Sequence, residues 1–321
     1  MTNLTSKEIL KMQIKRIEKE IRDTPHHKGT DHHLGRLRAK LSNLKEKELE
    51  SGSKKGGGGG GYAVKKQGDA TVVLVGPPSA GKSTLLNLLT NAKSKVAPYA
   101  FTTLTVVPGM MVFRDARIQI LDVPGLIEGA EEGKGRGREV LSVVRGADLL
   151  LVMSDTDRPG ALEKMEAALE RNGIRINKER PKVRVEKKLK GGISVISNVK
   201  QDFDKETVKE IAKEFRFTNA EITLKEKLTI DELIDSFSKS RVYIPAIYLL
   251  NKADKDEAKN TKADIQISAK GEKNIEELKN LIFEKLNFVT VYLVKEDEEP
   301  NTNDPIIMKR GDTLKTVAKK I

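Results

Sequence analysis

A glycine-rich turn that ends in lysine and serine, Gly76–Ser83, is the stretch best suited to chemistry. The apolar, β-branched segment Thr71–Val75 precedes it, and leucines at helical spacing follow it in Thr84–Thr90. A strand, a glycine-rich turn and a helix in this order can wrap phosphate oxygens with backbone N–H groups. Lys82 would reach the outer phosphates, and Ser83 would offer its hydroxyl to Mg²⁺. The stretch therefore predicts binding of a nucleoside triphosphate.

Two prolines early in this turn, Pro77 and Pro78, cannot donate backbone hydrogen bonds. The donors that a phosphate needs come later, between Ala80 and Thr84, so the prolines are compatible with phosphate binding. The alternative is a chance match in a chain rich in lysine and glycine. The flanking strand and helix patterns favour the phosphate-binding interpretation.

A second candidate is Asp122–Gly125, which directly follows the apolar segment Arg117–Leu121. Beside a phosphate-binding loop, an aspartate at the tip of a neighbouring strand can hold the magnesium shell through water, and a glycine N–H can touch the outermost phosphate. An ordinary strand that ends in a turn would give the same residues. The order of the motifs, with Thr102 and Thr103 between them, favours the functional interpretation.

A third candidate is the segment Asn-Lys-Ala-Asp that follows the strand pattern Val242–Leu250. Guanine presents N1–H and N2–H₂ to a carboxylate, whereas adenine presents an acceptor and no amine, so a buried, unpaired Asp254 would reject ATP. Asn251 and Lys252 would brace the two loops and cover the base, and the Ala269 N–H would meet guanine O6. The predicted nucleotide is therefore GTP.

The composition excludes several classes of site. The 321 residues contain no cysteine, which rules out disulfides, thiolate zinc sites and cysteine nucleophiles. The sequence shows neither the apolar core of a signal peptide nor a run of about 18 apolar residues. We therefore expect a cytoplasmic protein that does not contact a membrane.

The net charge of +12 favours a polyanionic partner. Residues 1–70 contain 16 Lys and Arg against 9 Asp and Glu, so the excess is concentrated at one end. We interpret this clustering as a contact with RNA or the ribosome. The alternative is a hydrophilic surface rich in Lys and Glu without a nucleic-acid partner.

Residues 1–50 are predicted to form a basic helical hairpin. One amphipathic helix spans 4–22 with Ser6 as a possible cap, Thr24–Pro25 breaks it, and a second helix spans 30–50. The hairpin could bind nucleic acid or pack on a neighbouring domain. The four histidines lie in or near its turn without acidic or sulfur ligands at a recognised spacing, so no metal site is predicted there. They are His26, His27, His32 and His33.

The rest of the chain divides into a linker, a core, an insertion and a tail. Glycine-rich residues 51–69 predict a flexible linker, and residues 70–172 and 242–288 predict the nucleotide-binding core. Residues 173–241 break the alternation of strands and helices, which predicts an inserted α+β subdomain. Residues 289–321 begin a further domain, and we expect that unit to be truncated.

The motifs together resemble those of the developmentally regulated GTP-binding proteins, a family of Obg-type GTPases, and are most like an archaeal member. In the core the resemblance rests on Phe101–Leu104, Asp122–Ala130 and Asn251–Asp254. Elsewhere it rests on the hairpin, the glycine-rich stretch, the insertion and a TGS-like start at the end. It covers essentially the whole chain. The implied fold is α/β: a P-loop GTPase core with a mainly parallel sheet, an inserted subdomain and a partial TGS-like (β-grasp) unit.

The resemblance also implies a set of site residues. Ser83, Thr103 and Asp122 would hold Mg²⁺, while Lys82, Thr103 and Gly125 would act in catalysis. The residues expected around GTP or GDP are Gly76, Ser79, Ala80, Gly81, Lys82, Ser83, Thr84, Phe101, Thr102, Thr103, Asp122, Gly125, Asn251, Lys252, Asp254, Ser268, Ala269 and Lys270.

Two positions depart from the family pattern. Leu126 follows Gly125 where many GTPases place a glutamine that orients the attacking water, so hydrolysis should be slow or use another group. Ser79 stands where potassium-activated relatives often have asparagine, so K⁺ dependence stays open. Arg136 and Arg138, in a segment interpreted as a switch loop, could supply positive charge, although solvated arginines are the favoured interpretation.

The predicted function is a slow, Mg²⁺-dependent GTPase that works as a switch and contacts the ribosome or RNA through the hairpin and the appended domains. The alternative is a nucleotide-responsive binding module in which turnover is incidental. A protein partner would then dock on the N-terminal hairpin or the C-terminal unit. Leu126 favours that alternative.

Overall fold

The computed structural model describes residues 5–25, 27, 29–53, 66–90, 97–98, 105–123, 136–254, 262–294 and 305–320. The chain forms two compact units. The first combines residues 1–59 with 179–241, and the second combines 60–178 with 242–321. The helical hairpin and most of the insertion therefore share one unit, although the first half of the core separates them in the sequence.

The described elements are numbered in chain order. The helices are α1 (Ser6–Asp23), α2 (Asp31–Ser53), α3 (Lys82–Thr90), α4 (Arg136–Arg145), α5 (Ala161–Arg171), α6 (Lys205–Glu214), α7 (Ile230–Phe237), α8 (Ile275–Lys285) and α9 (Leu314–Val317). The strands are β1 (Ala70–Val75), β2 (Ala97–Pro98), β3 (Thr105–Phe113), β4 (Ala116–Asp122), β5 (Leu149–Asp155), β6 (Ile174–Ile176), β7 (Val183–Lys187), β8 (Ile193–Ser197), β9 (Ala220–Leu224), β10 (Val242–Ile244), β11 (Ala246–Asn251), β12 (Ile265–Gln266), β13 (Phe288–Val291) and β14 (Ile306–Lys309).

A seven-stranded sheet in the order β12-β11-β5-β1-β4-β3-β2 forms the centre of the second unit. The strands from β12 to β4 run parallel to their neighbours. At the other edge, β3 and β2 are added antiparallel. The mainly parallel α/β sheet predicted from the sequence is therefore confirmed.

Helices cover both faces of this sheet. Because successive side chains of a strand point to opposite faces, Val72 and Leu74 of β1 join one apolar cluster, whereas Val73 and Val75 join another. The first cluster contains side chains of α3 and α8, and the second contains side chains of α4 and α5. Burial on both faces explains why β1 is apolar at nearly every position.

In the first unit, α1 and α2 pack against each other through Ile14, Ile17, Leu37 and Leu44. The hairpin predicted from the helical spacing is confirmed. The predicted cap was wrong by one residue, because Thr5 rather than Ser6 caps α1. The Thr5 side chain accepts a hydrogen bond from the Glu8 N–H, and the Glu8 carboxylate accepts one from the Thr5 N–H.

The inserted part of the first unit is a three-stranded sheet, β7-β9-β8, which packs with α6 and α7 in one apolar cluster. Helix α2 packs on those two helices. Ala39 of α2 is fully buried in the cluster, and a Cβ atom at Gly35 would lie 3.4 Å from both Ile211 and Ile230. The hairpin therefore packs on the inserted segment within one unit, and its binding of nucleic acid stays a prediction.

The C-terminal residues form an antiparallel pair, β13 and β14, followed by the short helix α9. Phe288 and Ile307 of this pair join the apolar cluster beneath α8, and the Lys309 ammonium lies 2.9 Å from the Asp148 carboxylate. The TGS-like character of this segment stays a prediction. Within the described ranges, no helix is long and apolar enough to span a bilayer.

Burial in the sheet predicts that substitutions in two neighbouring strands lower the free energy of unfolding by very different amounts. Ile118 in β4 is fully buried, whereas Val112 in β3 is 67% exposed. Ile118→Ala should lower the free energy of unfolding by about 2–5 kcal/mol because it leaves a cavity. Val112→Ala should change it by about 0.5 kcal/mol or less. Urea denaturation followed by circular dichroism measures both, and equal losses would contradict the position assigned to β4.

Candidate nucleotide-binding site

The predicted site residues lie where the parallel strands end. Strand pairing places Leu74 opposite Asp122 and Asn251 opposite Asp155. Because the carboxyl ends of parallel strands share one edge of the sheet, the ends of β1, β4, β5 and β11 lie together there. Residues far apart in sequence thereby form one site.

The turn after β1 has the backbone conformation that its glycines suggest. Gly81 has φ +95°, and Ser79 adopts a left-handed φ of +61°. A Cβ atom at Gly76 would lie 2.4 Å from the Met153 carbonyl oxygen. One at Gly81 would lie 2.2 Å from the side-chain nitrogen of Asn251. The neighbouring strands therefore leave space only for glycine at these two positions.

Lys82 is the first residue of α3 and folds back over the turn. Its ammonium donates to the carbonyl oxygens of Gly76 and Pro77, at 3.0 and 3.1 Å. The residue is only 9% exposed, and burial lowers the pKa of its ammonium, while the Asp122 carboxylate acts in the opposite direction. The described contacts of this cation are with neutral carbonyl groups, so a phosphate in the turn would be a stronger partner.

The next residue, Ser83, joins α3 to the end of β4. Its hydroxyl donates to Asp122 Oδ2 at 2.7 Å. The other carboxylate oxygen, Asp122 Oδ1, is buried and has no hydrogen-bond partner among the described residues. A buried acceptor in this state is unfavourable unless a cation or a water reaches it. No group of three or more acidic or histidine side chains suited to a metal ion occurs within the described ranges.

Asn251 braces two loops, as the sequence predicts. Its side-chain Nδ2 donates to the Ala80 carbonyl oxygen at 2.9 Å, and its Oδ1 accepts from the Ala269 N–H at 2.9 Å. This one buried amide therefore holds the turn after β1 against the loop after β12. The Ala269 N–H, which was expected to face guanine O6, is engaged by Asn251, and its role toward a base stays a prediction.

Asp254 accepts a hydrogen bond from Ser268. The Ser268 hydroxyl donates to Asp254 Oδ1 at 2.7 Å, and it accepts from the Gly271 N–H at 2.9 Å. Ser268 is fully buried, whereas Asp254 is exposed, and the burial of its carboxylate against a base stays a prediction. Lys270, two residues after Ser268, is also exposed. The exposed carboxylate is therefore oriented by a buried hydroxyl.

The sequence reasoning missed a charged group at the end of β5. Asp155 is 1% exposed and lies between Arg158 and Lys252, with closest contacts of 2.7 and 2.8 Å. The hydrogen bonds from Arg158 lower the pKa of Asp155 to about 2, Lys252 contributes in the same direction, and burial opposes both. Asp155 follows an apolar strand in the same way as Asp122, and this was the signal that could have found it.

Part of the predicted site lies outside the described residues. These positions are Phe101, Thr102, Thr103, Gly125 and Leu126. Of the remaining residues, Ala80 in the turn is buried, whereas Ser79 in the turn and Ser83 and Thr84 at the start of α3 are exposed.

Close sequence relatives decide the family. An uncharacterized GTP-binding protein of Methanocaldococcus jannaschii is 46% identical over 96% of this chain and 82% of its own length. Developmentally-regulated G-protein 3 of Arabidopsis thaliana is 44% identical, with 92% and 83% covered. Developmentally-regulated GTP-binding protein 2 of Homo sapiens is 39% identical, with 96% and 87% covered. The chain belongs to the developmentally regulated GTP-binding protein family.

Two family descriptions match parts of this GTP-binding protein. Residues 71–188 match "50S ribosome-binding GTPase", and residues 190–288 match the "C-terminal region of MMR_HSR1 domain". Among solved structures, Era of Aquifex aeolicus aligns with a TM-score of 0.38 at 22% identity, over 73% of this chain and 62% of that chain. The family resemblance inferred from the motifs is therefore confirmed by the sequence relatives, and guanine nucleotide binding with it.

The close approach at Gly81 gives a direct test of the brace. In Gly81→Ala, the new Cβ would collide with the Asn251 amide, and the alanine would have to adopt the left-handed conformation of Gly81. The affinity for GDP should therefore fall at least about tenfold, or about 1.4 kcal/mol. Gly160→Ala is the matched control, because a Cβ there meets nothing within 4 Å. Titration calorimetry with GDP measures both. Unchanged affinity in Gly81→Ala would contradict the geometry.

Proposed function

We propose that this member of the family hydrolyses GTP to GDP and phosphate slowly, with Mg²⁺, and works as a switch. The observation that carries the proposal is the convergence of three groups at one sheet edge. Lys82 folds over the turn after β1, Ser83 donates to Asp122 beside it, and Asn251 joins that turn to the loop that contains Ser268, the partner of Asp254. One end would take the phosphates and the other the base.

The oxygen atoms near Ser83 suit a magnesium ion. Mg²⁺ prefers oxygen ligands and is often held by one or two protein groups together with phosphates and water. The Ser83 hydroxyl and the unpartnered Asp122 Oδ1 offer such ligands, and Thr103 would complete them. When bound, the ion neutralises charge on the β- and γ-phosphates. Ser83 would then exchange its hydrogen bond to Asp122 for a contact with the ion.

Catalysis would consist of positioning and charge stabilisation. Lys82 would exchange its carbonyl contacts for the β- and γ-phosphates, where its charge favours the transition state. Thr103 and Gly125 would close on the γ-phosphate and report its presence. Leu126 cannot orient a water molecule by hydrogen bonding, so the rate should be low. Ser79 leaves K⁺ as a further cofactor to be tested alongside Mg²⁺.

Guanine selection would rest on Asp254. Its carboxylate, oriented by Ser268, would accept the N1 and N2 protons of guanine. The stem of Lys252 would cover the base. The Lys270 backbone, or Ala269 after a small shift away from Asn251, would supply the donor for O6.

The partner proposed for this switch is the ribosome or its RNA. The matching family is described as ribosome-binding over residues 71–188, and the chain carries a net charge of +12. Lysine and arginine are concentrated in residues 1–70, where they could contact phosphates. A protein partner on the hairpin or the C-terminal unit is the second candidate, favoured by Leu126.

Base selection can be tested by reversing one hydrogen-bond pattern. Asp254→Asn should weaken GDP binding about 100-fold, because an amide cannot accept both guanine protons. It should strengthen binding of xanthosine diphosphate, whose C2 carbonyl needs a donor. Asp115→Asn, in the turn between β3 and β4, is the control and should change neither. Calorimetry with both nucleotides decides, and an unaltered preference for GDP would exclude Asp254 as the selecting group.

Turnover is measured by phosphate release from GTP, with ATP as the control nucleotide and with ribosomes present or absent. We expect a rate below about 1 s⁻¹ for GTP alone, none for ATP, and none for the Lys82→Met variant. Ribosome binding should weaken as salt rises, because phosphate contacts release counterions. GTP turnover absent under every condition would support the binding-module alternative. Cosedimentation that is insensitive to salt would argue against RNA contact.

A further inference from the structure

The buried carboxylate of Asp155 contacts two cations from different parts of the second unit. Lys252 Nζ lies 2.8 Å from Asp155 Oδ2. Arg158 grips the same carboxylate with two nitrogens, Nη2 to Oδ2 at 2.7 Å and Nε to Oδ1 at 3.2 Å. Both carboxylate oxygens are therefore used, and both cations hold fixed positions.

Arg158 also reaches the phosphate-binding turn. Its Nη2 donates to the Pro78 carbonyl oxygen at 3.1 Å. The arginine itself is fixed by its own backbone, because its N–H donates to the Asp155 carbonyl oxygen and its carbonyl oxygen accepts from the Ser154 hydroxyl. A continuous chain of contacts thus runs from Pro78 through Arg158 and Asp155 to Lys252.

The other end of this chain is conformationally strained. Lys252 has a left-handed φ of +67°, a conformation that is unfavourable for a residue other than glycine. The preceding carbonyl, of Asn251, accepts from the Thr156 N–H at 3.1 Å, so the loop after β5 holds the backbone as well. The side-chain contact with Asp155 and this backbone bond together keep Lys252 in place.

We propose that Asp155 is a positioning residue for the bound guanine nucleotide. It acts through Lys252 at the base end and through Arg158 at the phosphate end, so one carboxylate sets the geometry of both. The proposal rests on the site assignment made under Proposed function but not on hydrolysis. It adds Asp155 and Arg158 to the residues that determine how long a nucleotide stays bound.

Simple stabilisation of the fold is the competing explanation. An exposed ion pair contributes little to stability, but Asp155 is 1% exposed, and removing its charge would leave two cations without their common partner. Such a loss could lower stability without any effect on the nucleotide. The experiment must therefore separate positioning from stability.

The readout is the dissociation rate of a fluorescent GDP chased with unlabelled GDP. Asp155→Asn keeps the side-chain shape and removes the charge, and it should speed release about tenfold. Asp157→Asn removes the same charge from an exposed position two residues later and should stay within about twofold of the unmodified protein. Arg158→Met removes the contact with Pro78 and the two hydrogen bonds to Asp155 but leaves the contact between Asp155 and Lys252, so it should speed release by a smaller factor.

A double-variant cycle of GDP release rates with Asp155 and Lys252 distinguishes a positioning role of Asp155 from a role in stability. If Asp155 acts through Lys252, the double variant Asp155→Asn, Lys252→Met should release GDP at most about twofold faster than the faster single variant. If the two factors multiply, the proposal fails. Unchanged release in Asp155→Asn, or equal acceleration by Asp157→Asn, would also overturn it. Thermal unfolding of the nucleotide-free variants identifies any that do not fold. If Asp155→Asn is one of them, the test is a second cycle that combines Arg158→Met with Asp155→Glu, whose carboxylate retains the charge.

The pKa of Asp155 adds a further requirement. Because Arg158 lowers that pKa to about 2, the carboxylate is charged at every pH well above this value. The charged carboxylate stops holding Lys252 and Arg158 only as the pH falls from about 4 toward 2 and Asp155 becomes protonated. The acceleration in Asp155→Asn should therefore be the same at about pH 6 and about pH 8. GDP release does not depend on turnover. A protein that binds GDP without hydrolysing GTP would therefore contradict the GTPase proposal, but the role of Asp155 could still be tested.

Discussion

The side-chain amide of Asn251 is the interaction on which the rest of the site depends. It is buried, and it makes both of its hydrogen bonds to backbone groups, the Ala80 carbonyl and the Ala269 N–H. Loss of either partner would leave a buried polar group unsatisfied, at a cost of about 1–3 kcal/mol. Only glycine at position 81 leaves room for the amide. The turn that would receive phosphates and the loop that would receive the base are therefore fixed to each other before any ligand arrives.

Much of this arrangement could be predicted from the sequence because local chemistry determines it. The apolar run Thr71–Val75 and the leucines after Lys82 indicate a buried strand and a helix on their own, and both are present. The period of two along β1 and the burial of both its faces follow from helices on either side of a parallel sheet. Even the Thr5 cap could be read locally, since Glu8 three residues later completes a capping box that a choice of Ser6 overlooks.

The parts that could not be predicted depend on contacts between distant residues. A single aspartate after a strand is common in turns, so the position of Asp155 marks it as a candidate but does not show its role. Its importance appears only when the pairing of β5 with β11 brings it to Lys252, 97 residues later. The same reason explains the exposed Asp254 and the engaged Ala269 N–H, because loop geometry rather than residue type decides which groups face open space.

The first unit is assembled from two segments that are synthesised far apart in time. Asn43 of α2 donates to the Glu214 carbonyl oxygen of α6, 171 residues later. At about 5–20 residues per second, roughly 10–35 s pass between the two during translation. Throughout that interval, the residues that pack on Gly35 and Ala39 in the folded unit have not yet been synthesised. A nascent chain of this kind would therefore present an apolar helical surface to chaperones until its own insertion is complete.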